Sequence, residues 1–192
     1  MSPRLAFLAP ALLLLAALAG CATKPSIQDL PASNANIDAF SLNGRAAVNA
    51  DGRGYSATVR WRHAGGRDSL RLLSPVGSVV AQIDADKDGA TLTTGDKKVY
   101  KSTDAESLMR DVLGWNLPLA GLRYWVVGRS NPDAPVQSEA RDDRHRLSSL
   151  VQSDWHIGYL DYFGESAMPA RMSLAREKLS LRLVVERWEF PE

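Results

Sequence analysis

Cysteine is nearly absent from this chain: among 192 residues only Cys21 carries a thiol. A disulfide framework is thereby excluded, and a single cysteine in an exported protein calls for a dedicated use. Catalytic signatures are missing as well. There is no phosphate loop ending in Gly-Lys-Ser/Thr, no G-x-S-x-G elbow and no H-E-x-x-H. His63, His145 and His156 lie beside strands or loops without metal-ligand spacing and read as surface residues. Charge of one sign is also lacking. With Arg4 set aside, 22 basic side chains face 22 acidic ones. That balance gives no electrostatic case for nucleic acid or an anionic membrane surface. Beyond residue 20 no apolar run approaches the roughly 20 residues of a membrane-spanning helix. No cofactor is implied.

What is present begins at the N-terminus. Residues 1–20 hold one charge, Arg4, and an apolar run from Leu5 to Ala19. That run is too short to span a bilayer and has the make-up of a secretory signal. It ends Leu18-Ala19-Gly20-Cys21, which resembles the lipobox of lipoprotein precursors. Cleavage before Cys21 and acylation of its thiol are expected, with the lipid as the membrane link. Residues 21–37 contain two prolines and many small polar side chains and read as a flexible tether, spanning roughly 20 Å as a coil. Residues 38–192 are long enough for one domain with a real core.

That domain opens with period-two patterning. Tyr55, Ala57, Val59 and Trp61 alternate with polar residues, the clearest strand in the chain. Phe40, Leu42, Ala46 and Val48 form a weaker version. Leu70 with Leu72, and Val79 with Ala81, Ile83 and Ala85, continue the series. Asp51-Gly52, Gly65-Gly66, Pro75-Val76-Gly77 and Asp88-Gly89 supply turns, so an antiparallel meander is expected. A helix follows, with Thr103 and Glu106 as a capping box, Leu108, Met109, Val112 and Leu113 on one face, and Gly114 as its stop. A second starts at Pro118, carries Leu119, Leu122, Trp125 and Val126 on one side, and ends at Gly128. Polar Asn131 to Arg146 reads as a loop. Strands return from Leu147 to Trp188, with Trp155, Ile157 and Tyr159 on one face and Leu179, Leu181, Leu183 and Val185 on another.

The expected class is α+β: an incomplete antiparallel β-barrel of about 10–11 strands with a helical lid. Mid-sequence helices and the lack of aromatic girdles argue against a membrane-spanning barrel. Asp84, Asp86, Asp88 and Gly89 match the start of a calcium loop, but position twelve is Gly95 where a bidentate Glu is needed. A hairpin with positive φ at Asp88-Gly89 is favoured instead.

Several stretches, in order, resemble the LolB family. They are Phe40-Ser-Leu-Asn-Gly-Arg45, Ser56-Ala-Thr-Val-Arg-Trp61, Leu70-Arg-Leu-Leu-Ser-Pro-Val-Gly77, Leu117-Pro-Leu-Ala-Gly-Leu-Arg-Tyr-Trp125 through Gly128, and the region from Leu147 to Trp188 with Met168-Pro-Ala-Arg-Met172. The resemblance implies an outer-membrane receptor that takes lipoproteins from the periplasmic carrier LolA and incorporates them into the membrane. It implies a cavity for acyl chains, for which Tyr55, Val59, Trp61, Leu70, Leu72, Met109, Val112, Leu122, Trp125 and Trp155 are candidate lining. It also implies a protruding loop at Pro75, Val76 and Gly77, with valine where the family usually has leucine. Ala22, not aspartate, implies export to the outer membrane, and a monomer is expected. A second reading, open from the residues alone, is a structural lipoprotein with a filled core that binds only protein.

Overall fold

The computed structural model describes residues 30–191; Cys21, the signal segment and most of the expected tether lie outside the described residues. Among the described residues eleven strands form one sheet. β1 (Phe40–Ala50), β2 (Arg53–Ala64), β3 (Arg67–Leu73), β4 (Val79–Asp86), β5 (Gly89–Thr94) and β6 (Val99–Ser102) precede two helices, α1 (Ala105–Leu113) and α2 (Leu119–Trp125). β7 (Val136–Arg141), β8 (Leu147–Gln152), β9 (Trp155–Tyr162), β10 (Pro169–Arg176) and β11 (Leu179–Glu189) follow. Every pairing is antiparallel, and the order is β6-β5-β4-β3-β2-β1-β11-β10-β9-β8-β7. Each half is a meander, and the ladder between β1 and β11 joins them. β6 and β7 are free edges, so the sheet is open.

The alternation anticipated from sequence sets the buried face. Phe40, Leu42, Ala46 and Val48 are buried along β1, and Leu181, Leu183 and Val185 along β11. The two strands approach closely at Gly44, where a register irregularity falls after Asn43 and any Cβ would collide with the carbonyl of Val184. Phe40 stands edge-on to Trp61 and Trp188, with ring centroids 5.2 and 5.5 Å apart. His63, expected at the surface, is buried beside Phe40 because it continues the inward row after Val59 and Trp61. His145 and His156 are exposed.

Connections alternate between two rims. The β1–β2, β3–β4, β5–β6, β8–β9 and β10–β11 turns lie on one rim; the β2–β3, β4–β5, β7–β8 and β9–β10 turns, with the start of β1, lie on the other. Asp51-Gly52 and Gly65-Gly66 take positive φ at both residues, the geometry of two-residue hairpins. In the β4–β5 hairpin Asp86 pairs with Gly89, so Lys87-Asp88 form the turn and only Gly89 has positive φ, not Asp88.

The N-cap of α1 is Asp104, one residue after the expected Thr103. Its carboxylate accepts from the amides of Glu106 (3.1 Å) and Ser107 (2.8 Å), two bonds where one hydroxyl offers fewer lone pairs. Gly114 at φ 80° stops the helix as anticipated. α2 begins after Pro118, and Gly128 closes it, with the Arg129 amide reaching the Tyr124 carbonyl at 3.0 Å. The expected loop 131–146 contains a strand, β7. All six of its residues are exposed, so it carries no apolar alternation by which it could be recognised.

Candidate functional site

Between the β1–β4 part of the sheet and the two helices lies a cavity of about 430 Å³, within the range of roughly 300–1,000 Å³ that encloses small ligands. β1 contributes Ala46 and Val48, β2 contributes Tyr55, Ala57, Val59 and Trp61, and β3 contributes Leu70 and Leu72. Val112 and Leu113 end α1 over it; Trp115 and Leu117 follow, and α2 adds Leu119 and Leu122. Leu181 and Leu183 complete the wall. Among the described residues Ser56 and Ser74 are the only small polar lining, and no charged side chain takes part. The space has a local cause. Ala46 is paired across the ladders with Ala57 on one side and Leu183 on the other, so two methyl groups stand where larger side chains would fill the gap.

Of the anticipated lining, Tyr55, Val59, Trp61, Leu70, Leu72, Val112 and Leu122 meet around this cavity. Met109, Trp125 and Trp155 do not. They are fully buried in the packed core, where Trp125 and Trp155 lie 6.1 Å apart. Trp125 donates through Nε1 to Gln152 at 2.8 Å. It folds back over Gly121, whose missing Cβ leaves room for the indole. Helical periodicity put Met109 and Trp125 on an inward face and strand alternation did the same for Trp155, but neither period can separate the part of a face over a hollow from the part over a filled core. Ala46, Val48, Leu181 and Leu183 were legible as inward positions and not as lining. Trp115 lies between the helices, where no period applies.

Trp61 is held in place by Asp68, which accepts from its indole N–H at 2.9 Å and lies 2.8 Å from His63 Nδ1. This buried polar cluster lies one inward position beyond Trp61, on the side away from the Val76 turn. The opposite end is open at the rim carrying the β3–β4 turn, where Tyr55 and Val80 are each 47% exposed. Val80 reaches the lining through a register irregularity: Leu72 pairs with Ala81 and Leu73 with Val79, leaving Val80 as the extra residue.

The turn itself is tightly made. The Gly77 amide donates to the Ser74 carbonyl and the Ser74 amide to the Ser78 carbonyl, both at 2.8 Å. Pro75 supplies the fixed φ that opens such a turn, and Gly77 takes the left-handed conformation at φ 83°. Val76 is left at the tip, 87% exposed. A rigid turn thus presents one bare apolar side chain beside the mouth of an apolar cavity.

A larger concavity of about 930 Å³ lies at the far rim. Arg62, Arg67, Asp68, Asp84, Asp86, Asp88 and Lys101 line it, so its surface is suited to water rather than to an apolar guest. The start of α1 carries two carboxyls in different surroundings, Asp104 exposed and Glu106 half-buried. Hydrogen bonding from Ser107 holds the Asp104 carboxyl below its usual range, while burial, with the nearby Asp104 charge, raises that of Glu106.

Residues 38–188 match the family model described as outer membrane lipoprotein LolB. The chain is 38% identical to the outer-membrane lipoprotein LolB of Nitrosomonas europaea over 154 residues, 78% of this chain and 72% of that one. It is also 38% identical to that of Thiobacillus denitrificans over 175 residues (90% and 92%) and to that of Chromobacterium violaceum over 174 (90% and 93%). Among solved structures, a LolA superfamily protein from Nitrosomonas europaea superposes with a TM-score of 0.50 at 10% identity, covering 82% of this chain and 88% of that one. At that identity the likeness speaks of the fold alone.

Proposed function

This chain belongs to the LolB family of outer-membrane lipoproteins, and from that membership we propose that it receives lipoproteins from a LolA-type periplasmic carrier and inserts them into the outer membrane. The observation that carries the reading is the apolar cavity opening beside Val76. We read the open sheet and its two helices as an incomplete barrel with a helical lid, Cys21 as the acylated anchor on the periplasmic face, and the domain as a monomer.

The energetics favour such a handoff. At about 0.8 kcal/mol per methylene, baring a chain of some sixteen carbons to water costs on the order of 12 kcal/mol. A cavity-to-cavity transfer keeps those methylenes covered, so passage to the bilayer can run downhill without nucleotide hydrolysis. Val76 would enter the membrane ahead of the cargo. Valine offers one methylene fewer than the family's usual leucine, a difference of about 0.8 kcal/mol or roughly fourfold in partitioning. That is a modest loss.

Purified Cys21→Ala protein incubated with a loaded carrier should take cargo from it, read by co-purification. Cargo that stays wholly on the carrier refutes the receptor role. A fluorescent fatty acid should also bind; a compact protein that excludes it would favour the structural-lipoprotein reading.

A further inference from the structure

The described residues ahead of β1, from Leu30, do not lie near the cavity mouth. Leu30 and Ile37 pack against the core. Asn34 Nδ2 donates to the carbonyls of Val127 (2.8 Å) and Gly128 (2.9 Å), and the Pro31 carbonyl accepts from the Ala167 amide at 2.9 Å. The Ile37 carbonyl accepts from Arg129 at 3.2 Å. The second half of the expected tether is therefore a strap fastened to the domain. Ala167 belongs to the β9–β10 connection and the strap runs into β1, so the strap lies on one rim while Val76 and the mouth lie on the other.

Strand length separates the two. β3 has 7 residues and β1 has 11, which at about 3.3 Å per residue is roughly 23–36 Å from rim to rim. Nine residue steps join Cys21 to Leu30, a reach of at most roughly 32 Å. With the strap fastened, the connection must be stretched to most of its limit to span the sheet at β3 and falls short at β1. With the strap released, nineteen steps join Cys21 to Phe40, a reach of up to roughly 68 Å.

We propose that Leu30–Ile37 is a releasable clasp that sets the reach of the lipid anchor. Fastened, it holds the strap rim toward the bilayer and the cavity mouth toward the aqueous side, the posture for receiving cargo. Released, it lets the Val76 rim turn to the same bilayer and deliver. The clasp rests on the reading of Cys21 as anchor and Val76 as delivery loop.

The test uses the lipidated full-length protein in phosphatidylethanolamine–phosphatidylglycerol vesicles with a loaded carrier. Three changes are compared: Asn34→Ala, an insert of eight Gly/Ser residues after Lys24, and both together. Asn34→Ala should speed hydrogen exchange at the Ala167 amide by roughly tenfold and quicken cargo insertion several-fold, with receipt unchanged. The insert should quicken insertion equally without altering Ala167 exchange, and the double change should add little. Neither change should affect insertion by Cys21→Ala protein, whose orientation is free. Equal insertion by all lipidated forms at normal receipt overturns the clasp alone, as does the same acceleration in Cys21→Ala protein. Failure of every form to receive cargo overturns the receptor reading and the clasp with it.

Discussion

The two halves of the sheet share one ladder and one buried face, yet one half is hollow and the other is full. On β1 to β3 the inward positions over the cavity are Ala46, Val48, Tyr55, Ala57, Val59, Trp61, Leu70 and Leu72, with the two alanines side by side. On β8 to β11 they include Leu150, Trp155, Ile157, Tyr159, Met172 and Trp188, with Met168 beside them, and none is more than 7% exposed. The polar atoms follow the same division. In the filled half Gln152 is fully buried, accepting from Trp125 and the Asn131 amide and donating to the carbonyls of Asn131 and Ala134, all at 2.8 Å. Tyr159 donates to the Trp125 carbonyl and Trp188 to the Pro169 carbonyl, each at 3.0 Å. The hollow half has no such network near its mouth. One half is thus packed through and cross-linked by buried hydrogen bonds, and the other keeps an apolar space.

The largest effect expected is on the mouth. Val76→Glu should leave cargo receipt intact and reduce insertion into vesicles more than tenfold, because a carboxylate at the tip resists entry into hydrocarbon. Normal insertion by that variant would remove the functional side of the contrast. Next, Ala57→Phe should fill the cavity and abolish fatty-acid binding while the protein still unfolds cooperatively, by thermal denaturation followed by circular dichroism. Retained binding would mean that the guest sits elsewhere.

In the filled half, Ile157→Ala should cost about 2–5 kcal/mol in urea unfolding, whereas Leu72→Ala, which merely enlarges an existing space, should cost about half as much or less. Equal losses would erase the distinction. Gln152→Leu should cost about 2–4 kcal/mol, since it strands a buried indole N–H and backbone groups together.

The smallest effects lie at the helix start. Asp104→Ala should cost about 1 kcal/mol. Because the folded state lowers that carboxyl's pKa, its contribution is full above the ordinary carboxylate range and is lost as pH falls through the depressed value. Glu106 has the opposite sign: its raised pKa makes ionisation unfavourable to the fold, so Glu106→Gln should be slightly stabilising at pH 7 and neutral in acid. Unfolding midpoints measured from pH 3 to pH 7 check both.

Much of this arrangement was legible in the residues. Alternation in β1, β2, β9 and β11 gave the correct buried face, and Pro118, Gly114 and Gly128 marked helix ends. β7 was not legible, because an edge strand exposed on both faces has no apolar period. The clasp was missed for a related reason. Its hold comes from Asn34 and backbone carbonyls reaching partners more than 90 residues away, and polar side chains in a proline-containing stretch look the same whether docked or free. The cavity was half legible. Period two says which side chains point inward, but whether they meet depends on volumes summed across strands, such as Ala46 beside Ala57.

The free edges at β6 and β7 have a mechanical consequence. In a closed cylinder, any increase in girth must break ladder hydrogen bonds. Here the sheet keeps two edges, with α1 resting on β5 and β6, so a widening between β6 and β7 would cost side-chain contacts and no ladder hydrogen bond.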